Sequence, residues 1–150
     1  MIDLTFKQEL LTYCIQLKLD NVENLKAAMN DAQQSAIEYG SPKDRYDSYR
    51  AQMLVKRDMF AQQLHTAQGE LMILQQIDAA IPVRKAGFGA LVCLPEQVVF
   101  VAIGLGKVEF KGLICYVVSL QVPLCQAMRD MKKGDVMDFR GKKMKILDIC

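Results

Sequence analysis

Three carboxylates bracket the one Gly-Ser-Pro cluster in the first half of this chain: Glu38 precedes it, and Asp44 and Asp47 follow it. Segments with helical apolar spacing run on either side of the stretch from Ser35 to Asp47. A helix that stops there, turns and returns as a second helix would hold these acids at the end of a two-helix rod. Carboxylates so placed suit delivery of negative charge into a deep site on a partner. The same charges also suit an ordinary solvated turn, where Asp44 and Asp47 favour the start of the second helix through its dipole. The residues alone leave both readings open.

Other residues able to do chemistry are few. His65 is the only histidine and sits among Gln62, Gln63, Thr66 and Gln68. A His-based triad or a His-rich metal site therefore has no support, and a surface position is expected. Cys14, Cys93, Cys115, Cys125 and Cys150 are odd in number, form no C-x-x-C pair and lie mostly in apolar runs. That pattern reads as reduced, buried thiols of a cytoplasmic protein. Gly104 and Gly106 form a G-x-G with no helix after it, which reads as a turn and not as a phosphate loop.

The whole chain has 150 residues, 51% hydrophobic and 24% charged, which fits one globular domain or two small ones. Its net charge of +2 hides an asymmetry. Residues 1–80 hold 8 Lys and Arg against 11 Asp and Glu, a balance of −3; residues 81–150 hold 11 against 6, a balance of +5. An acidic rod and a basic body are implied, neither charged enough by itself to imply nucleic-acid binding. The N-terminus lacks the basic and apolar regions of a signal peptide, and no apolar run approaches the roughly 20 residues that span a bilayer. A cytoplasmic protein with no membrane association is expected.

The elements that must position the acids follow from periodicity. Asp3 or Thr5 can cap a first helix, with Gln8 completing a weak capping box after Thr5. From Leu11 the steps alternate four and three through Ile15, Lys18, Val22, Leu25, Met29, Ala32 and Ala36, the spacing of a coiled-coil seam. After the turn, Tyr46, Met53, Phe60, Ala67 and Leu74 fall seven apart, with Leu64 and Leu71 between them and Arg50 and Arg57 at intermediate seam positions. An antiparallel hairpin is the simplest outcome, each helix being on the order of 45 Å long. The stripe is too narrow for helices buried in a globule.

Helical periodicity ends near Asp78, and Pro82 and Gly87 follow. The expected division is a coiled-coil hairpin over 1–79 and a second domain over 80–150. Strands are predicted at 89–94, 98–103, 113–119, 136–139 and 144–149, with hairpin turns at Lys111-Gly112 and Arg140-Gly141. One short helix is predicted over 123–131, opened by Pro123. The fold class is α+β: an N-terminal antiparallel helical hairpin, then a small β-sheet domain with one short helix.

Three segments of the second half carry a family resemblance: Ser119-Leu-Gln-Val-Pro-Leu-Cys-Gln-Ala-Met, Lys132-Lys-Gly-Asp-Val-Met-Asp-Phe and Gly141-Lys-Lys-Met-Lys-Ile-Leu-Asp-Ile. Together they resemble the C-terminal domain of the GreA/GreB transcript cleavage factors, and the order of elements matches over nearly the whole chain. The resemblance implies an FKBP-like second domain that docks at the secondary channel of bacterial RNA polymerase. It also implies a hairpin reaching toward the active centre, where tip acids help hold a Mg2+ shared with the polymerase near backtracked RNA. On that basis Asp44, Asp47 and Glu38 are the candidate catalytic acids, and Asp44 and Asp47 the candidate metal ligands. Gln121, Val122 and Pro123 are the candidate polymerase contacts. Nascent RNA is met only indirectly, and the chain is expected to act as a monomeric accessory factor more than as a stand-alone enzyme.

The resemblance breaks at one tip position. Ser41 stands where the family has the first metal-handling aspartate, and Asp44 stands at its glutamate position. A regulator that enters the channel without promoting cleavage is therefore an alternative. An FKBP-like prolyl isomerase or chaperone, or a plain coiled-coil oligomerisation module, are others.

Overall fold

A computed structural model describes residues 2–38 and 44–150, the side chains of residues 44–47 excepted. The chain divides into two compact units, Ile15–Met72 and a second formed by Met1–Cys14 with Ile73–Cys150.

The first unit is a pair of helices. Helix α1 (Leu4–Glu38) is capped by Asp3, whose Oδ1 accepts the Phe6 N–H at 2.9 Å. Of the two cap candidates it is therefore Asp3, not Thr5. Helix α2 (Asp44–Gln75) runs antiparallel to it within this unit, with Val22 of α1 clustered with Leu64 and Ala67 of α2 and with Leu25 and Met29 alongside. Ala32 and Ala36 continue the buried stripe on α1. Among the described residues the seam buries the cation Lys18, whose Nζ lies 3.4 Å from Oε1 of Glu70. Between residues 15 and 72 the other described positions are exposed or half-buried, as a narrow stripe requires.

The second unit is built on a five-stranded sheet of order β3-β4-β2-β1-β7. Its strands are β1 (Leu91–Cys93), β2 (Val98–Val101), β3 (Gly106–Phe110), β4 (Leu113–Val118) and β7 (Asp148–Ile149). A separate hairpin joins β5 (Val136–Phe139) to β6 (Lys142–Lys145). Strand β2 pairs parallel with β4 and antiparallel with β1, and all four of its residues are buried. A continuous Val-Val-Phe-Val run is what a strand covered on both faces demands. On one face Val92, Val99 and Val101 pack with Cys125 and Met128, which belong to and follow α3 (Pro123–Ala127), and with Met137 and Ile146. Toward the other face the first turns of α1 bring Phe6 and Tyr13 onto the Phe110 ring at 5.6 and 5.2 Å.

Four differences from the sequence reading stand out. Strand β3 was not expected; it is an edge strand in which Lys107 and Glu109 face out and Val108 is buried, and charge on an edge hides its strand character. The single strand expected over 144–149 is two. The Ile146 N–H donates to the Asp135 carbonyl, whereas the Leu147 N–H donates to that of Cys93, so the chain changes partner sheet between adjacent residues. Helix α3 stops at Ala127 instead of 131. Reciprocal bonds between Ala86 and the 130–131 segment then draw the chain away, with Asp130 at φ 60°. Strand β1 is also shorter than expected. Both hairpin turns lie where expected, with Lys111-Gly112 and Arg140-Gly141 each at positive φ in both residues, as a two-residue type I′ turn requires.

Candidate functional site

Helix α1 ends at Glu38 and α2 begins at Asp44, so the three candidate acids belong to the two helix ends that flank residues 39–43. Glu38 is exposed, and its Oε1 accepts a long 3.5 Å bond from Gln34 Nε2. A carboxylate there meets the negative end of the helix dipole, and the last turn of α1 holds no basic residue to offset it. Glu38 is therefore charge placed where helix stability disfavours it. Asp44 and Asp47 occupy positions one turn apart at the start of α2, and their side chains lie outside the described residues. Ser41 and Lys43 lie outside them altogether.

The second candidate region is the loop into α3. The Ser119 hydroxyl oxygen accepts the Gln121 N–H at 3.3 Å, and Gln126 Nε2 donates to the Leu120 carbonyl at 2.8 Å, which together fix its course. Pro123 occupies the first turn of α3, where its missing N–H costs nothing. Val122 packs against the core beside Leu124, so its side chain anchors the loop, while Gln121 and Pro123 are exposed. Leu120 is exposed beside them and was not singled out from the sequence, where a leucine in an apolar run reads as core. The hairpin acids and this loop belong to different units.

Thiol chemistry finds no support. Burial pushes the Cys14 thiol up to about 12, and those of Cys93 and Cys125 up to about 11, so all three stay protonated and unreactive near neutrality. All five cysteines are free, and His65 is exposed as expected. Among the described residues no group of three or more His, Cys, Asp or Glu side chains is arranged to hold a metal ion. No described helix is long and apolar enough to cross a membrane.

One titratable group was invisible in the sequence. Lys7 is fully buried, and its Nζ has no hydrogen-bond partner among the described residues. Burial lowers its pKa, against the pull of Cys150 and Asp78. Nothing in the local pattern separates it from a surface lysine; only the packing of α1 does.

A search against protein-family models and a search of curated proteins both return no match. Among solved structures, the chain is similar to the crystal structure of GreA factor homolog 1 (Gfh1) protein of Thermus thermophilus, with a TM-score of 0.36 and 12% identity. The match covers 95% of this chain and 93% of that one.

Proposed function

We propose that this chain is a transcription elongation factor of the GreA/GreB type, which binds bacterial RNA polymerase at its secondary channel and inserts the hairpin end toward the active centre. The supporting observation is the conjunction of a helical hairpin with a sheet unit whose motif segments fall on defined elements. Ser119–Met128 leads into and spans α3, Lys132–Phe139 ends in β5, and Gly141–Ile149 forms β6 and β7. In this reading Gln121 and Pro123 touch the polymerase while Val122 holds their loop to the core. Asp44, Asp47 and Glu38 carry negative charge into the channel.

A magnesium ion shared with the polymerase would supply charge stabilisation at the phosphodiester oxygens, and carboxylates are the donors it takes. The chain's own part is to bring these carboxylates in on a rigid support and to orient them. Nascent RNA is met through the polymerase, and the factor works as a cytoplasmic monomer that assists another enzyme's reaction.

Ser41 favours a second reading, a channel regulator that binds without promoting cleavage, because a neutral hydroxyl replaces a charged ligand. An FKBP-like isomerase is less well supported, since it needs an aromatic-lined pocket. Here Phe100 is fully buried, Phe110 is packed between Phe6 and Tyr13, and Arg140 covers the Phe139 ring. A cleft of about 470 Å³ between the 93–98 turn and residues 113–114 is lined by aliphatic and polar residues, with no aromatic side chain.

The deciding experiment is a pull-down with RNA polymerase followed by transcript cleavage on stalled complexes. Binding with cleavage lost in Asp44→Ala and Asp47→Ala supports the factor reading. Binding with no cleavage in either form selects the regulator, and no binding sinks both.

A further inference from the structure

The basic excess of the second half is not spread evenly over its surface. Lys85 and Lys132 are direct cross-strand partners in an isolated antiparallel bridge, and both are exposed. Like charges in that position repel and cost stability unless something negative joins them. Arg84 and Lys133 flank the pair in sequence, and both are exposed. The cluster continues into the β5–β6 hairpin, because the Gly134 N–H donates to the Ile146 carbonyl at 2.8 Å and the Ile146 N–H returns a bond to Asp135 at 2.8 Å. On β6, Met144 turns to the core and Ile146 beyond it is buried, so the alternating Lys143 and Lys145 stand on the outer face.

Six cations thus follow one hydrogen-bonded path across the surface. Nearby acids offset part of it, exposed Asp130 among them, and leave the path with an excess of positive charge. Lys133 lies 3.8 Å from Asp148, whereas Arg84, Lys85, Lys132, Lys143 and Lys145 have no carboxylate partner among the described residues. Asp135 spends one oxygen on the Lys132 backbone N–H. Asp138 sits opposite Lys143 in the strand register and offsets part of its charge.

The geometry points to a binding surface for the phosphate backbone of a nucleic acid, carried by the sheet unit alone. An acidic protein is the competing partner, but protein interfaces deplete charge at their centre and concentrate apolar and aromatic side chains there. Here the centre is the lysine pair itself, and Val136 is the large apolar side chain exposed between Lys132 and Lys145 in the chain path. Surfaces that meet nucleic acid are the more positive and more polar class. Such contacts attach to phosphates and read no sequence.

This surface is independent of the hairpin acids, and its test needs no polymerase. Fluorescence anisotropy of the full-length protein with labelled oligouridylate, titrated with salt, measures it directly. Lys85→Glu with Lys132→Glu, and separately Lys143→Glu with Lys145→Glu, should each weaken binding about tenfold or more. Each pair should also flatten the slope of log K against log salt by roughly 0.7 per cation removed. Lys26→Glu with Lys56→Glu, on the exposed faces of the helices, should change it less than twofold. Labelled oligothymidylate should bind as the RNA does. The proposal is overturned if the native protein shows no salt-dependent binding, or if both sheet-unit pairs leave affinity within twofold. It is also overturned if polyglutamate displaces the oligonucleotide at equal charge concentration, which would assign the surface to an acidic protein.

Discussion

Phe100 and Val22 are both buried, yet their surroundings differ in kind. Phe100 lies in β2, with strands on both sides and apolar layers above and below it. Val22 meets one facing helix along a stripe one or two residues wide, and its neighbours Asn21 and Glu23 are in solvent. The sheet unit therefore holds most of the apolar burial. The helical unit relies on a single seam plus its own backbone hydrogen bonds, which a long helix satisfies internally. The difference frees the outer surface of the hairpin from packing duties. A support for charged groups needs that freedom; a core does not.

The comparison breaks most clearly at its strong end. Phe100→Ala should cost about 3–5 kcal/mol, because the enclosed site cannot collapse around the lost ring. Leu64→Ala on the seam should cost less, about 2–3 kcal/mol, since one open side lets the helices readjust. Urea unfolding followed by circular dichroism measures both. Equal losses would mean that the seam is as confined as the sheet core. Native-state hydrogen exchange sharpens the same point: amides of α1 and α2 between residues 15 and 72 should open at lower free energy than those of β1 and β2.

Much of the contrast between seam and sheet was legible in the sequence, and the reasons are specific. The seam from Leu11 to Ala36 could be read because a period of 3.5 leaves few alternatives, and β2 because four consecutive β-formers must be covered on both faces. Hairpin turns were legible from glycine after a long residue. What stayed hidden depended on partners distant in the chain. Nothing around Ile146 and Leu147 announces a change of sheet, and the Lys85–Lys132 bridge joins residues 47 positions apart. The candidate acids were legible as charge between two helical stretches. Their relation to the helix dipoles became concrete only once α1 was seen to end at Glu38.

Lys7 puts an unfavourable group inside the well-packed core of the sheet unit. Its Nζ is buried without a partner, so Lys7→Met should raise stability by about 1–3 kcal/mol at neutral pH. The gain should depend on pH in a defined direction. Burial lowers the folded-state pKa below 10.5, so the unfolded chain binds the proton more tightly, and the native penalty eases as pH rises toward 10.5. The advantage of Lys7→Met should therefore be largest near neutrality and shrink through the alkaline range. The thiols oppose this in the native protein: with Cys14 held up to about 12, its contribution is full below pH 9 and is lost above it. Comparing Lys7→Met with the native protein at each pH cancels Cys14 and leaves the lysine together with Cys150, the thiol coupled to it.

Lys18 is the matching cation of the hairpin, and here the outcome should differ. Glu70 lies 3.4 Å away with a side chain 29% exposed, so the buried ammonium keeps a counter-charge that is itself in contact with water. Removing that carboxylate in Glu70→Ala should cost about 1 kcal/mol, a value set by solvent screening at an open seam. Replacing both residues with Leu and Gln should recover most of the loss, because an apolar side chain suits the Lys18 position. A double-mutant cycle on Lys18 and Glu70 measures the pair directly. A coupling near zero would mean that the seam tolerates a solitary lysine through its exposed edge. A coupling above about 3 kcal/mol would mean that the seam is as dry as the sheet core, which would remove the distinction between the two units.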